Sequence, residues 1–178
     1  MMIHFVQQAS SAVMFAVMVM TNPTPVQIEQ VSVPTESTII VAESSTPPSV
    51  QDVLLSVCEA RGYGEDCAKT LLGMLWVESN NVSTAIGDSG LARGYFQIHY
   101  DLHNITIECA ENLTCSANWT LDYMKSHGYP EQTTHAVQCH NTCYANNGYA
   151  ARAARASANM WETPLLISEP KRQQIATI

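Results

Sequence analysis

Apolar residues come in short periodic blocks along most of this chain, but between Leu71 and Val77 they leave no polar side. Leu71, Leu72, Met74, Leu75, Trp76 and Val77 cover the whole circumference of a helix, and such a helix belongs inside a small domain rather than on its surface. The pattern ends at Glu78, after which the chain is rich in Asn, Ser and Gly as far as Gly90. The carboxylate is therefore expected where the buried helix breaks out towards solvent. Upstream, Val53, Leu54, Leu55 and Val57 after Asp52 predict a first helix ending around Gly62, and Tyr63-Gly64-Glu65-Asp66 predicts the turn that caps the central helix, which runs to about Ser79.

Past the central stretch, residues 100–115 read as an irregular loop. Ala117, Trp119, Leu121, Tyr123 and Met124 then predict a helix that stops at Gly128, with Pro130 beyond it. Residues 131–145 predict a further helix, whole or broken. An Ala/Arg-rich helix follows over 150–158, with Arg152 and Arg155 on one face, and Pro164 and Pro170 prevent its continuation. The domain is expected over 49–158, and residues 159–178 form a tail that either packs through Trp161 and Leu165 or stays loose.

The N-terminal region follows different rules. Ala12 to Met20 are apolar over a length too short for a membrane span and suited to the central part of an export signal. No Lys or Arg precedes the run and no small-x-small cleavage site follows it, so residues 1–20 read as a signal peptide or a retained anchor. Residues 21–48 are dominated by Thr, Ser, Pro, Val and Glu and lack Gly, which predicts a disordered, proline-stiffened linker.

Composition adds three constraints. Hydrophobic residues make up 46% of 178, which is that of a globular protein. The six cysteines, Cys58, Cys67, Cys109, Cys115, Cys139 and Cys143, point to three disulfides in an exported chain. They fall as three local pairs, but Cys139 and Cys143 on one regular helix would be strained, so crossed bridges from Cys109 and Cys115 to Cys139 and Cys143 compete. A zinc centre from Cys139, His140 and Cys143, completed by His99, His103 or His135, is the rival reading; the spacing fits no common zinc pattern, and no metal or cofactor is expected. The formal net charge of −8 supplies no basic field for nucleic acid. Four Asn-x-Ser/Thr sequons, at Asn81, Asn104, Asn112 and Asn118, carry meaning only in a eukaryotic secretory route.

A carboxylic acid at the end of a buried helix has its pKa raised by desolvation and by the negative end of the helix dipole. An acid that keeps its proton near neutral pH is what cleavage of a glycosidic bond requires, because the leaving oxygen must be protonated as the bond breaks. More often such a Glu is a solvated helix terminus or the partner of an Arg. After Glu78, however, Gly87-Asp88-Ser89-Gly90 supplies a turn-rich loop and Gly94-Tyr95-Phe96-Gln97-Ile98 a short extended segment.

Glu78-Ser79, Ala92, Gly94, Gln97 and Ile98 resemble the motifs of the lytic transglycosylases of the lysozyme-like superfamily, where a helix ends in Glu-Ser and a Gly-x-x-Gln-Ile motif follows a polar loop. The pattern departs at Leu91, where Gly is common, and at Tyr95-Phe96, where Leu-Met is frequent. It departs again at His140-Asn141, in place of a Tyr-Asn pair, and Tyr149-Ala150-Ala151-Arg152 resembles the family's closing Tyr and helix. The resemblance covers roughly residues 51–155. It implies a mainly α, α+β lysozyme-like domain with a short β segment beside the cleft, and a secreted or extracytoplasmic monomer acting on peptidoglycan glycan strands. A membrane would be met only through the N-terminal anchor.

In that family one Glu, here Glu78, cleaves the bond between N-acetylmuramic acid and N-acetylglucosamine and leaves 1,6-anhydro-muramic acid ends. Ser79 would orient it, Gln97 with the Gly94 to Ile98 backbone would hold acetamido groups, and Asn141 would contact substrate from the other wall. His140 would hold the bond the Tyr makes, or be a packed histidine; if charged, it would lower the pKa of Glu78. With no basic field, sugar-stacking rings become candidates, namely Tyr95, Tyr100, Tyr144 and Tyr149. Two alternatives stand beside this reading. Asp88, with Asp101 behind it, would supply the second carboxylate of a hydrolysing muramidase, and a non-catalytic peptidoglycan-binding module would keep the fold without turnover.

Overall fold

The computed structural model describes residues 47–168, all within one compact unit; the expected export segment, nearly all of the linker and the end of the tail lie outside them. The order of elements is α1 (Val50–Ala60), α2 (Glu65–Ser79), β1 (Ile86–Gly87), a 3₁₀ turn over Asp88–Gly90, β2 (Ala92–Arg93), β3 (Ile98–His99), α3 (Tyr100–His103), α4 (Ile107–Glu111), α5 (Leu113–Ser126), α6 (Thr133–Asn141) and α7 (Tyr149–Met160). The described chain is thus mainly helical with one small antiparallel sheet, ordered β1-β2-β3. No helix among the described residues is long and apolar enough to cross a membrane.

The central helix is α2. Leu71, Leu72, Met74 and Leu75 are inaccessible to solvent, whereas Trp76, Val77 and Glu78 in its last turn are half-buried. Helix α7 packs along α2 more extensively than any other pair of elements. That approach depends on Gly73, because a Cβ there would overlap the Ala153 carbonyl of α7. The sheet is seated in the same way: Gly94 has φ +75°, and a side chain on it would run into the Ala110 carbonyl of α4.

Helix α1 begins at Val50, earlier than Asp52, because Ser49 and Asp52 form a reciprocal capping box. The irregular loop expected over 100–115 is instead two short helices and the start of α5. Thr106 caps α4 by accepting from Cys109 N at 3.1 Å, and Asn112 caps α5 by accepting from Cys115 N at 2.9 Å. Two side chains that read as parts of glycosylation sequons are therefore helix caps.

All three disulfides are local: Cys58–Cys67, Cys109–Cys115 and Cys139–Cys143, with Cα separations of 5.9, 5.2 and 4.0 Å. Crossed bridges do not form. Strain in one regular helix is no obstacle, because α6 stops at Asn141 and Thr142 is extended (φ −167°, ψ 131°), so Cys143 lies off the helix. No cysteine is free, and this is the chemistry of an oxidising, extracytoplasmic or secreted setting. Cys58–Cys67 ties α1 to α2 across a short loop, and replacing both by Ala is expected to cost about 2.5 kcal/mol by the loop-entropy relation. Equilibrium unfolding in urea checks the figure.

The described part of the tail packs against the domain. The Gln51 amide donates to the carbonyls of Met160, Trp161 and Thr163 at 3.1, 3.3 and 2.7 Å, and its Oε1 accepts from Leu165 N at 3.0 Å. Ser49 and Leu166 form an antiparallel bridge, and Trp161, Leu165 and Ile167 lie against the core. Lys69 Nζ sits 5.3 Å from the centre of the Trp161 ring.

Candidate active site

Glu78 occupies the last turn of α2, which Asn80 ends in the left-handed conformation (φ 52°). Its side chain is 16% exposed. Burial is the largest influence on its acidity and raises its pKa from the ordinary 4.5 to about 7; the nearby Asp88 charge adds to the rise, while a bond from Tyr149 and the Arg152 charge oppose it. An acid poised there is half protonated at neutral pH.

The group that faces this carboxyl is the phenol of Tyr149, the first residue of α7. It is buried, and its Oη makes no hydrogen bond of regular geometry in the resting structure. Burial first, and then the Glu78 charge and the hydrogen bond to it, raise the phenol's pKa far above the usual range. Tyr149 therefore stays a donor at every working pH, ready to tighten onto Glu78 as the carboxyl ionises. From the sequence it was expected only as a stacking ring and as a counterpart of the family's closing Tyr.

His140 lies beside the pair, with Nε2 at 3.8 Å from Glu78 Oε1, but its hydrogen bond goes to the Phe96 carbonyl at 2.8 Å. A carbonyl accepts only, so Nε2 carries the proton. Burial lowers its pKa below the ordinary value. His140 is thus a neutral packed imidazole, and the charged His140 that would have lowered the pKa of Glu78 is disfavoured.

Other expected contacts serve the fold. Ser79 Oγ donates to Leu75 O in its own helix at 3.2 Å, so its proton does not orient Glu78. The Gln97 amide donates to Ala85 O at 3.1 Å and Gly94 O at 3.0 Å, closing a turn in which Gln97 itself has φ +47°. The Nε2 donors of that amide are committed to its own loop. Tyr95 and Ile98 are buried, and the Tyr95 hydroxyl donates to Ser168 O at 2.9 Å, so neither presents a face to a sugar. Asn141 is exposed, with Oδ1 accepting from Asn147 Nδ2 at 2.6 Å. Tyr144 is fully exposed on the 142–148 loop, whereas the Tyr149 ring is buried and Tyr100 half-buried.

Asp88 lies in the turn after β1 with its side chain 70% exposed, and His99 Nε2 is 2.6 Å from its Oδ2. His127 approaches both Cys139 and Cys143, but sulfurs joined in a disulfide offer no thiolate, and His140 is bound to Phe96 O. The zinc centre expected as a rival is therefore not assembled from these residues.

A feature missed from the sequence is the ring-lined wall of α5. Trp119 and Tyr123 stack at 5.3 Å with planes 18° apart, His127 continues the row 4.3 Å from Tyr123, and His103 of α3 packs 4.9 Å from Trp119. Through His140, 6.1 Å from Tyr123 and 6.3 Å from Tyr149, the row reaches the Glu78 site. Its signal was the four-residue spacing of Trp119, Tyr123 and His127.

No protein-family model, curated protein or solved structure matches the chain.

Proposed function

We propose that this chain is a peptidoglycan lytic transglycosylase that breaks the β-1,4 bond between N-acetylmuramic acid and N-acetylglucosamine with Glu78 as its single general acid and base. The observation that carries the proposal is the half-buried Glu78 at the end of α2, with a pKa of about 7 and a permanent donor, Tyr149, at its carboxyl. The motif residues Glu78-Ser79, Ala92, Gly94, Gln97 and Ile98 add to it by resemblance, and the disulfides agree with a substrate outside the cytoplasm.

Protonated Glu78 gives its proton to the bridging oxygen as the bond to muramic acid C1 breaks, and N-acetylglucosamine leaves with its electron pair. Tyr149 stabilises the carboxylate that results. The same carboxylate then takes the proton of the C6 hydroxyl while that oxygen closes on C1, giving the 1,6-anhydro ring and restoring Glu78. Neutral His140, fixed on Phe96 O, adds no positive charge of its own beside the acid. Exposed Asn141 and Tyr144 are the expected residues still open to the glycan.

The test is mass spectrometry of soluble products released from peptidoglycan by the full chain. Muropeptides ending in 1,6-anhydro-muramic acid support the proposal, and none sinks it. The proton requirement also fixes a pH profile. Because the first step needs Glu78 protonated, kcat/KM is expected to fall about tenfold per pH unit above pH 7. Initial rates between pH 5 and 9 check this, and a flat alkaline limb would remove Glu78 as the acid.

A further inference from the structure

We propose that the Cys139–Cys143 disulfide is the closed form of a zinc site: when a dithiol reductant opens it, the two thiolates, His127 and His135 take up one Zn²⁺. The site is independent of cleavage by Glu78.

Of the three bridges this one staples the chain least. Its cysteines are four residues apart in sequence, against nine for Cys58–Cys67 and six for Cys109–Cys115, and a shorter loop removes less entropy from the unfolded chain. Imidazoles surround it instead. One ring nitrogen of His127 and both sulfurs lie within 4.8 Å of one another. His135, one turn before Cys139 on α6, brings its Nε2 to 3.5 Å from Cys139 Sγ. Zinc bonds of about 2.3 Å to sulfur and about 2.0 Å to nitrogen, at the tetrahedral angle, put two such ligands about 3.5 Å apart, so that edge of the site is already formed. His140 donates to Phe96 O and stays outside the set.

The tautomer of His127 suits a metal. Its Nδ1 is 2.8 Å from the Tyr123 carbonyl, and Ser126 Oγ spends its own proton on the same carbonyl at 2.6 Å. A carbonyl accepts only, so Nδ1 carries the ring proton and Nε2 keeps its lone pair. An outer acceptor of this kind is how metal-binding histidines are usually oriented. Two thiolates on one zinc stand about 3.8 Å apart, and Cys143 has room to move because it follows extended Thr142 and lies off α6. His135 and Cys143 also line a cavity of about 500 Å³ against the 142–148 loop. That cavity gives both reductant and ion a way to the sulfurs.

The exchange balances. The dithiol passes two electrons and two protons to Cys139 and Cys143 and itself becomes a disulfide. One Zn²⁺ then displaces the two thiol protons to solvent, and its charge cancels that of the two thiolates. In an oxidising setting the covalent bridge holds the end of α6 to the loop; where a dithiol is present the metal holds it instead.

The experiment uses the full chain with Co²⁺ as probe, read by thiolate-to-cobalt absorption, and Zn²⁺ as competitor. Oxidised wild-type protein is expected to show no such absorption, and reduced wild type to bind one equivalent that Zn²⁺ displaces. Because the reductant also opens the other two bridges, Cys139→Ser/Cys143→Ser is reduced alongside, and Cys143→His is measured without reductant while those bridges stay closed. The double variant is expected to lose the absorption, and Cys143→His to bind one equivalent through Cys139. Adding His127→Gln to Cys143→His weakens binding by more than the roughly 10–100-fold that loss of an outer partner costs. Uptake by Cys143→His that depends on His127 upholds the site even where reduction unfolds the wild type. Absorption missing from both reduced wild type and Cys143→His overturns it. So does equal absorption in reduced wild type and the double variant, or binding that His127→Gln leaves unchanged. No peptidoglycan enters these measurements, so their failure leaves the role of Glu78 standing.

Discussion

Glu78→Gln is expected to lower peptidoglycan cleavage by about 10³-fold, within the range that a positioned general acid contributes, and to make the protein more stable above neutral pH. The amide keeps the shape and polarity of the side chain but gives no proton to the bridging oxygen. The stability effect has a definite sign. Burial raises the folded-state pKa of Glu78 above the ordinary 4.5, to about 7, so its contribution is fully present below pH 4.5 and is lost as pH rises through 7. The loss amounts to up to about 3 kcal/mol, and the variant, which has nothing to ionise, escapes it. Muropeptide release measures the first effect, and thermal unfolding of both proteins at pH 5 and pH 8 measures the second. Equal cleavage by the two proteins would remove Glu78 as the acid, and no product from either would favour a glycan-binding module.

The second large effect is expected far from any charge. Gly73→Ala should lower stability by about 3 kcal/mol and the melting temperature by roughly 10 °C, even though Ala is the better helix former by about 1 kcal/mol. The added methyl meets the Ala153 carbonyl, a backbone group that moves only if the whole of α7 moves. Because α7 begins at Tyr149 and carries Arg152, displacing it also disturbs the two groups that favour the Glu78 carboxylate. Circular dichroism melting and product release from one preparation check both consequences. A melting temperature within about 2 °C of wild type would mean that α2 and α7 have slack at their crossing.

The central helix was legible because an apolar run without a polar face has few other places to go, and Glu78 was legible because that run stops at it. The partner of Glu78 was not, since Tyr149 arrives through the packing of α7 on α2, a contact between distant segments that leaves no local periodicity. Ser79 and Gln97 were assigned to substrate because polar side chains beside a candidate acid invite that reading. In the fold, nearby carbonyls at Leu75, Ala85 and Gly94 compete for the same donors and take them. Helices α3 and α4, of four and five residues, are too short for a period to show; only their caps could have announced them, and Thr106 and Asn112 also spell sequons. The cysteine pairing turned on a detail of similar scale, the extended backbone at Thr142, which a helical pattern carried through residue 145 conceals.

The pairing of Ser49 with Leu166, locked by the Gln51 amide, brings the chain into and out of the domain at a single point. A pull on the two ends is borne first by that antiparallel bridge and peels it open before any load reaches α2. The same geometry makes the domain nearly a closed ring of chain, in which a short linker from residue 168 to residue 49 would let new ends be opened at an exposed loop such as 142–148.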